Sequence, residues 1–231
     1  MNFYVDEIYF YFIYFLLTFA KIFFTKEVFM LVTMKEILDR AKKDNYGVTS
    51  IMVDRSSLSY EDNIAQTKET VKICRPLNIS VEAELGHVGQ SEDYSSDGSD
   101  HFTKPEEVKK FVEETGIDCL AVAIGTAHGR YHGTPHIDFD LLKQITDVVD
   151  IPLVLHGGSG TGDENLRKAV KNGIQKVNLA TELVVAGKEE LETFIQDKNF
   201  DKWQLIPSFI KGYSDRLEHY VKLFDQENRA W

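Results

Sequence analysis

The sequence predicts an α/β fold of the (β/α)8 TIM-barrel type, and three observations support this prediction. At 231 residues the chain is long enough to bury one sizeable core. From Met34 onward, short apolar runs alternate with segments of helical periodicity, which is the pattern of a parallel sheet covered by helices. Polar residues stand at the carboxyl ends of the apolar runs, where the binding groups of parallel barrels converge.

The elements can be assigned in chain order as five strand-helix units. Strands are predicted at 50–54, 80–85, 119–124, 153–156 and 174–179, and helices at 60–73, 105–115, 138–148 and 163–172. Pro105, followed by Glu106 and Glu107, indicates a helix start, because the first turn needs no backbone donor and favours acidic side chains. After Thr181 the chain is predicted to be helical to its end. Since a complete barrel has eight units, we expect an incomplete one.

The first 29 residues differ in composition from the rest of the chain. Residues 8–24 are almost wholly aromatic and aliphatic, but the unbroken apolar run 8–20 is short for a bilayer span. Asp6 and Glu7 stand where a signal peptide would carry basic residues. We interpret 1–29 as an apolar, non-native extension, with a membrane anchor or a packed helix as alternatives. Residues 30–231 are interpreted as the barrel domain.

Charge and cysteine content exclude some classes of function. The 26 basic and 37 acidic side chains give a formal charge of −11, which repels phosphate backbones, so we expect no nucleic-acid surface. Cys74 and Cys119 show no paired spacing and are interpreted as core thiols in a reducing compartment. The expected location is therefore cytoplasmic.

Five polar residues end the predicted strands: Asp54, Glu84, His128, His156 and Asn178. Each alone could be a hydrogen-bonded structural residue. Together on one rim, two imidazoles and two carboxylates are suitable ligands for a divalent metal such as zinc, which binds catalytically through three protein ligands and one open position. The sequence therefore predicts a metal site at the carboxyl ends of the strands.

Two further patterns predict polar contacts at the same rim. Glu82 and Glu84 lie on one side of their strand, so both need a metal or an ordered polar network if they are buried. "HGGSGTGDENLRKAV" combines closely spaced glycines with an acidic helix start, and "NLAT" at 178–181 joins a strand to a helix. Both patterns are compatible with a phosphate held by backbone N–H groups.

These motifs resemble the class II, metal-dependent ketose-bisphosphate aldolases, the family of fructose- and tagatose-bisphosphate aldolases. The resemblance covers the chain from about residue 49 onward. It rests, in family order, on "SIMVDRSSLSYEDNIAQTKETV", "VEAELGHVGQSED", "TKPEEVKKFVEETGIDCLAVAIGTAHGRY", "PLVLHGGSG" and "GIQKVNLATEL".

The resemblance implies specific residue roles. His128 and His156 match two of the family's three zinc-binding histidines, and Asp54 and Glu84 match carboxylates of its alternate metal position. Glu92, in a polar loop, matches an acid-base residue. The substrate-phosphate contacts of the family match Gly129, Gly157, Gly158, Ser159, Asn178, Leu179, Ala180 and Thr181.

The implied reaction is reversible cleavage of a ketose 1,6-bisphosphate into dihydroxyacetone phosphate and glyceraldehyde 3-phosphate. Zn²⁺ is the implied cofactor, acting as a Lewis acid, with a monovalent cation as a candidate activator. The family also implies a homo-oligomer, either a dimer or a tetramer.

The sequence departs from the family pattern at one important place. The family carries an Asp-His pair at the end of its third strand, which supplies the acid-base aspartate and the third zinc histidine. Counting back from Asp54 reaches Val32 and Thr33 instead, and no histidine precedes His87. We interpret this as an internal deletion between Val48 and Thr49 that removes the second and third strands.

Three hypotheses follow from this departure. The chain is an aldolase with impaired turnover, or it is a non-catalytic remnant or accessory subunit that keeps the phosphate site. A different phosphosugar barrel enzyme, such as an isomerase or epimerase, is the third reading, but such sites do not call for this set of histidines and glutamates.

Overall fold

The computed structural model describes residues 43, 54–77, 79–89, 101–129, 133 and 135–229. Several predictions therefore lie outside the described residues. These are the extension 1–29, the strand at 50–54 except for Asp54, the junction after Val48, and Glu92.

Four parallel strands form the sheet of the described residues. They are β1 (Glu82–Leu85), β2 (Cys119–Val122), β3 (Leu153–Leu155) and β4 (Ile174–Val177), and they are hydrogen-bonded in chain order. All of their residues are buried, which explains why β2 and β3 appear in the sequence as continuous apolar runs rather than alternating ones. Four strands in sequential parallel order, each followed by a helix, confirm the predicted α/β fold of an incomplete barrel.

Six α-helices accompany the sheet in the described residues. They are α1 (Tyr60–Cys74), α2 (Pro105–Thr115), α3 (Phe139–Thr146), α4 (Asp163–Lys171), α5 (Thr181–Phe194) and α6 (Leu205–Leu223). The first four match the predicted helices to within two residues at each end. Ser59 and Asp138 cap α1 and α3 by accepting backbone N–H groups of the first turn, and α2 begins with Pro105 as predicted.

The prediction of continuous helix after Thr181 was wrong. Helix α5 ends at Phe194, and a short 3₁₀ turn, Lys202–Gln204, precedes α6. Asp197 and Asp201 accept hydrogen bonds from the N–H groups of Asn199 and Trp203, at 2.9 and 3.0 Å. Such local side-chain bonds offer the backbone an alternative to the helix, so they account for the break.

The sheet separates an apolar layer from a polar interior. Ala83 and Leu85 of β1 belong to the hydrophobic core with Phe111 of α2, whereas Glu82 and Glu84 alternate with them and lie on the other side of the strand. Cys119 is buried and Cys74 half-buried, and both are free thiols. None of the helices in the described residues has the length and apolarity needed to cross a bilayer.

Truncating the aromatic ring that anchors α2 should measure this packing. Phe111 is fully buried, so we expect Phe111→Ala to lower the free energy of unfolding by about 3–5 kcal/mol. Trp203 is 76% exposed, and Trp203→Ala should change it by less than about 0.5 kcal/mol. Urea denaturation of both variants checks this, and equal losses would contradict the assignment of the core.

Candidate active site

A cavity of about 340 Å³ opens at the carboxyl ends of the strands. It is lined by residues that follow successive strands, because parallel strands bring their carboxyl ends to one rim. The lining residues are Asp54, His128, Gly129, His156, Gly157, Ser159, Asn178, Leu179, Ala180 and Thr181.

Glu84 is fully buried beside this cavity, and one of its oxygens is held in place. Its Oε1 accepts hydrogen bonds from the Ser56 hydroxyl at 2.8 Å and from the Val88 N–H at 2.9 Å. Ser56 in turn lies 2.8 Å from Nδ1 of His87. These bonds fix the carboxylate and leave Oε2 toward His156, whose Nδ1 is 2.7 Å away.

His156 lies between two carboxylates. Its Nε2 is 3.2 Å from Oε1 of Glu82, and Oε2 of Glu82 is 2.6 Å from Nζ of Lys176. Burial would raise the pKa of Glu82, but the bonds to His156 and Lys176 outweigh it and hold that pKa below its usual range. Burial likewise would lower the pKa of His156, but Glu82 and Glu84 outweigh it and raise it to about 9. These contacts satisfy both carboxylate oxygens of Glu82.

His128 approaches His156 from the loop after β2. Their ring centroids are 5.6 Å apart. Burial, with the neighbouring His156, lowers the pKa of His128, which favours the neutral imidazole. A neutral imidazole is the form that binds a metal.

Two buried polar atoms at the centre of this cluster have no hydrogen-bond partner among the described residues. They are Oε2 of Glu84 and Nδ1 of His156, which are close together but do not meet hydrogen-bond geometry. Buried atoms of this kind are costly unless something else binds them. One ligand atom each from Glu84, His128 and His156 lies within 4.8 Å of the others, and Asp54, Glu84 and His87 form a second such group. Two imidazoles and a carboxylate fit a divalent metal.

The glycine-rich turn after β3 forms the other side of the cavity. Gly157 has φ +66°, and a Cβ there would lie 2.2 Å from the carbonyl oxygen of Ala127. Gly158 donates its N–H to the carbonyl of Asn178 at 3.1 Å. Ser159 accepts from the N–H groups of Ala180 and Glu182, at 3.3 Å each, at the start of α5. Backbone donors at a helix N-terminus suit an anion.

The structure thus brings most of the predicted site residues to one rim. Glu84 contacts His156 rather than lining the cavity, and Gly158 packs behind the turn. His136 lies exposed in a loop. Sequence reasoning missed Ser56, His87 and Lys176; His87 could have been found, since it follows β1 by two residues and is polar at the same rim.

Comparison with known proteins identifies the family to which this chain belongs. The family model of class II fructose-bisphosphate aldolase matches residues 32–229. The chain belongs to this family, whose members are metal-dependent carbon-carbon lyases.

Individual relatives agree with this assignment. The chain is 42% identical over 190 residues to the uncharacterized protein YdjI of Escherichia coli (strain K12), covering 80% of this chain and 66% of that protein. The crystal structure of the E. coli YdjI aldolase matches with a TM-score of 0.67 at 37% identity, over 80% of this chain and 64% of that one. The chain therefore spans slightly less than two thirds of the length of YdjI.

Two other crystal structures have the same fold. A protein of Coccidioides immitis provisionally named a fructose-1,6-biphosphate aldolase matches with a TM-score of 0.66 at 32% identity, over 84% of this chain and 69% of that one. The fructose-bisphosphate aldolase of Campylobacter jejuni matches with a TM-score of 0.60 at 23% identity, over 75% and 59% of the two chains, and supports the fold alone.

The turn that carries His156 depends on a glycine at position 157. We expect Gly157→Ala to lower the free energy of unfolding by at least about 1–2 kcal/mol, because a left-handed backbone and a backbone clash both oppose the added Cβ. Gly133→Ala is the matched control, since nothing lies within 4 Å of a Cβ there. Thermal and urea unfolding of both variants measure the difference, and a Gly157→Ala protein as stable as the control would contradict this geometry.

Proposed function

We propose that this chain is a metal-dependent aldolase that cleaves a ketose 1,6-bisphosphate, of fructose or tagatose, to dihydroxyacetone phosphate and glyceraldehyde 3-phosphate, with impaired turnover. The observation that carries the proposal is the grouping of Glu84, His128 and His156, of which the two histidines line one cavity together with the Ser159 turn. This reaction needs metal ligands and a phosphate-binding turn at the same rim.

His128 and His156 are the proposed zinc ligands, with Glu84 as the third donor. No histidine precedes His87 in the sequence, so the third histidine of the family pattern is missing. The carboxylate of Glu84 is the remaining donor in this group. Asp54, with Glu84, is proposed for the alternate metal position. A zinc ion bound here would supply Lewis acidity, polarising the substrate ketone and stabilising the negative charge that develops on it.

The substrate phosphate is proposed to lie against the glycine-rich turn and the start of α5. The contacts we propose are Gly129, Gly157, Gly158, Ser159, Asn178, Leu179, Ala180 and Thr181. Ser159 already receives two backbone N–H groups there, so a phosphate oxygen could take over those donors without rearrangement of the helix.

Proton transfer is the weak step of the proposed reaction. The family's acid-base aspartate is absent from the sequence, and Glu92 is the proposed residue that remains. A positioned acid or base contributes about 10²–10⁴-fold in rate, so turnover should be lower by that order. We also propose that the chain forms a homo-oligomer and is located in the cytoplasm. The two free thiols support this location.

A cleavage assay tests this function. The full chain is incubated with fructose or tagatose 1,6-bisphosphate and Zn²⁺, and triose phosphate release is measured. We expect zinc-dependent cleavage about 10²–10⁴-fold slower than that of the Campylobacter jejuni enzyme, lost with chelator and in His156→Ala. Lys171→Met, a change on an exposed helix, is the control that should keep the rate. Turnover equal to the reference enzyme would contradict the impairment.

The alternative function is a non-catalytic accessory subunit, favoured by the missing Asp-His pair. It predicts zinc binding without cleavage, and co-purification of the chain with a full-length aldolase. Cleavage by the isolated chain that requires zinc and His156 would exclude this alternative.

A further inference from the structure

Lys176 is a fully buried lysine on β4, on the inner side of the sheet. Its ammonium lies 2.6 Å from Oε2 of Glu82 and donates to Oδ1 of Asn178 at 2.8 Å. Burying a charged pair of this kind costs desolvation free energy that the mutual attraction of the two ions barely offsets, so an apolar pair could fill the same space with equal or greater stability. Stability alone therefore does not explain a buried Lys176–Glu82 ion pair beside the cavity.

The position of Glu82 indicates what that role is. Lys176 holds one carboxylate oxygen of Glu82, and the other oxygen faces Nε2 of His156 at 3.2 Å. An ionised carboxylate only accepts hydrogen bonds, so Nε2 of His156 carries the proton and Nδ1 is the nitrogen left for a metal. Nδ1 is also the atom next to Oε2 of Glu84.

We propose that Lys176 is a positioning residue of the metal centre. It fixes the Glu82 carboxylate, which orients the His156 ring with Nδ1 toward the metal. It also fixes the Asn178 side chain at the cavity wall, so one ammonium couples the metal side of the cavity to its phosphate side. This inference rests on the proposed metal site but not on turnover of a sugar bisphosphate.

Metal binding by Lys176→Met in the full chain tests the proposal. Co²⁺ is titrated and its d–d absorption spectrum recorded, and Zn²⁺ affinity is then measured by competition. We expect both affinities to fall about 10–100-fold and the Co²⁺ spectrum to change, since the imidazole is no longer oriented. Lys171→Met, the same substitution at a half-exposed lysine paired with Asp225, should leave affinity and spectrum as in the wild type.

A second variant separates positioning from folding. Lys176→Met alone leaves Glu82 buried without its cation, which can destabilise the fold. Lys176→Met combined with Glu82→Gln removes both charges and should restore the thermal midpoint while Co²⁺ affinity stays lowered. A double variant with wild-type affinity and spectrum would overturn the proposal, because the pair would then serve the fold only.

The outcomes distinguish this inference from the proposed function. If the wild-type protein binds Co²⁺ tightly but cleaves no bisphosphate, the proposed aldolase activity is contradicted. The proposed role of Lys176 still holds in that case, provided that Lys176→Met binds Co²⁺ more weakly. Equal Co²⁺ binding by the wild type and Lys176→Met overturns the proposed role of Lys176 but does not affect the proposed aldolase activity. A wild-type chain that binds no Co²⁺ overturns both.

Discussion

The contact between Lys176 and Glu82 is the interaction on which the site depends. These residues lie on β4 and β1, the two outer strands of the four in the described sheet, yet their side chains meet at 2.6 Å. Three strand spacings of about 4.8 Å would separate such strands by about 14 Å in a flat sheet, so the contact fits a sheet that curves as a barrel does. The same curvature brings Glu84, His128 and His156, from three different strand ends, close to one another.

The charges of this cluster are balanced in a way that suits an anionic substrate. The carboxylates of Glu82 and Glu84 face the ammonium of Lys176 and the imidazole of His156. A divalent cation held by a neutral His156 would give this cluster one net positive charge. The chain as a whole carries −11, so an anion bound in the cavity would be attracted only by this local charge and by the donors at the start of α5.

Periodicity and strand-end chemistry were enough to predict four strands, four helices and most residues of the rim. They work best for β2 and β3, which are continuous apolar runs, so the first polar residue after each run marks the rim. Lys176 was not predicted, since a lysine inside a strand looks like a solvent-facing residue until its partner three strands away is known. Ser56 was missed for a related reason: its hydroxyl acts only through Glu84, which is 28 positions away in sequence. The break after Phe194 depends on local aspartate bonds that compete with helix.

The proposed binding residues all belong to one part of this fold. The proposed metal ligands and phosphate contacts, from Glu84 to Thr181, follow four consecutive strands that are hydrogen-bonded to one another. Their geometry is therefore set by contacts within those strands, chiefly the Lys176, Glu82 and His156 network. The acid-base aspartate of the family has no match among these strand ends, and the proposed Glu92 lies outside the described residues. The geometry of the proposed ligand site therefore does not depend on the acid-base residue.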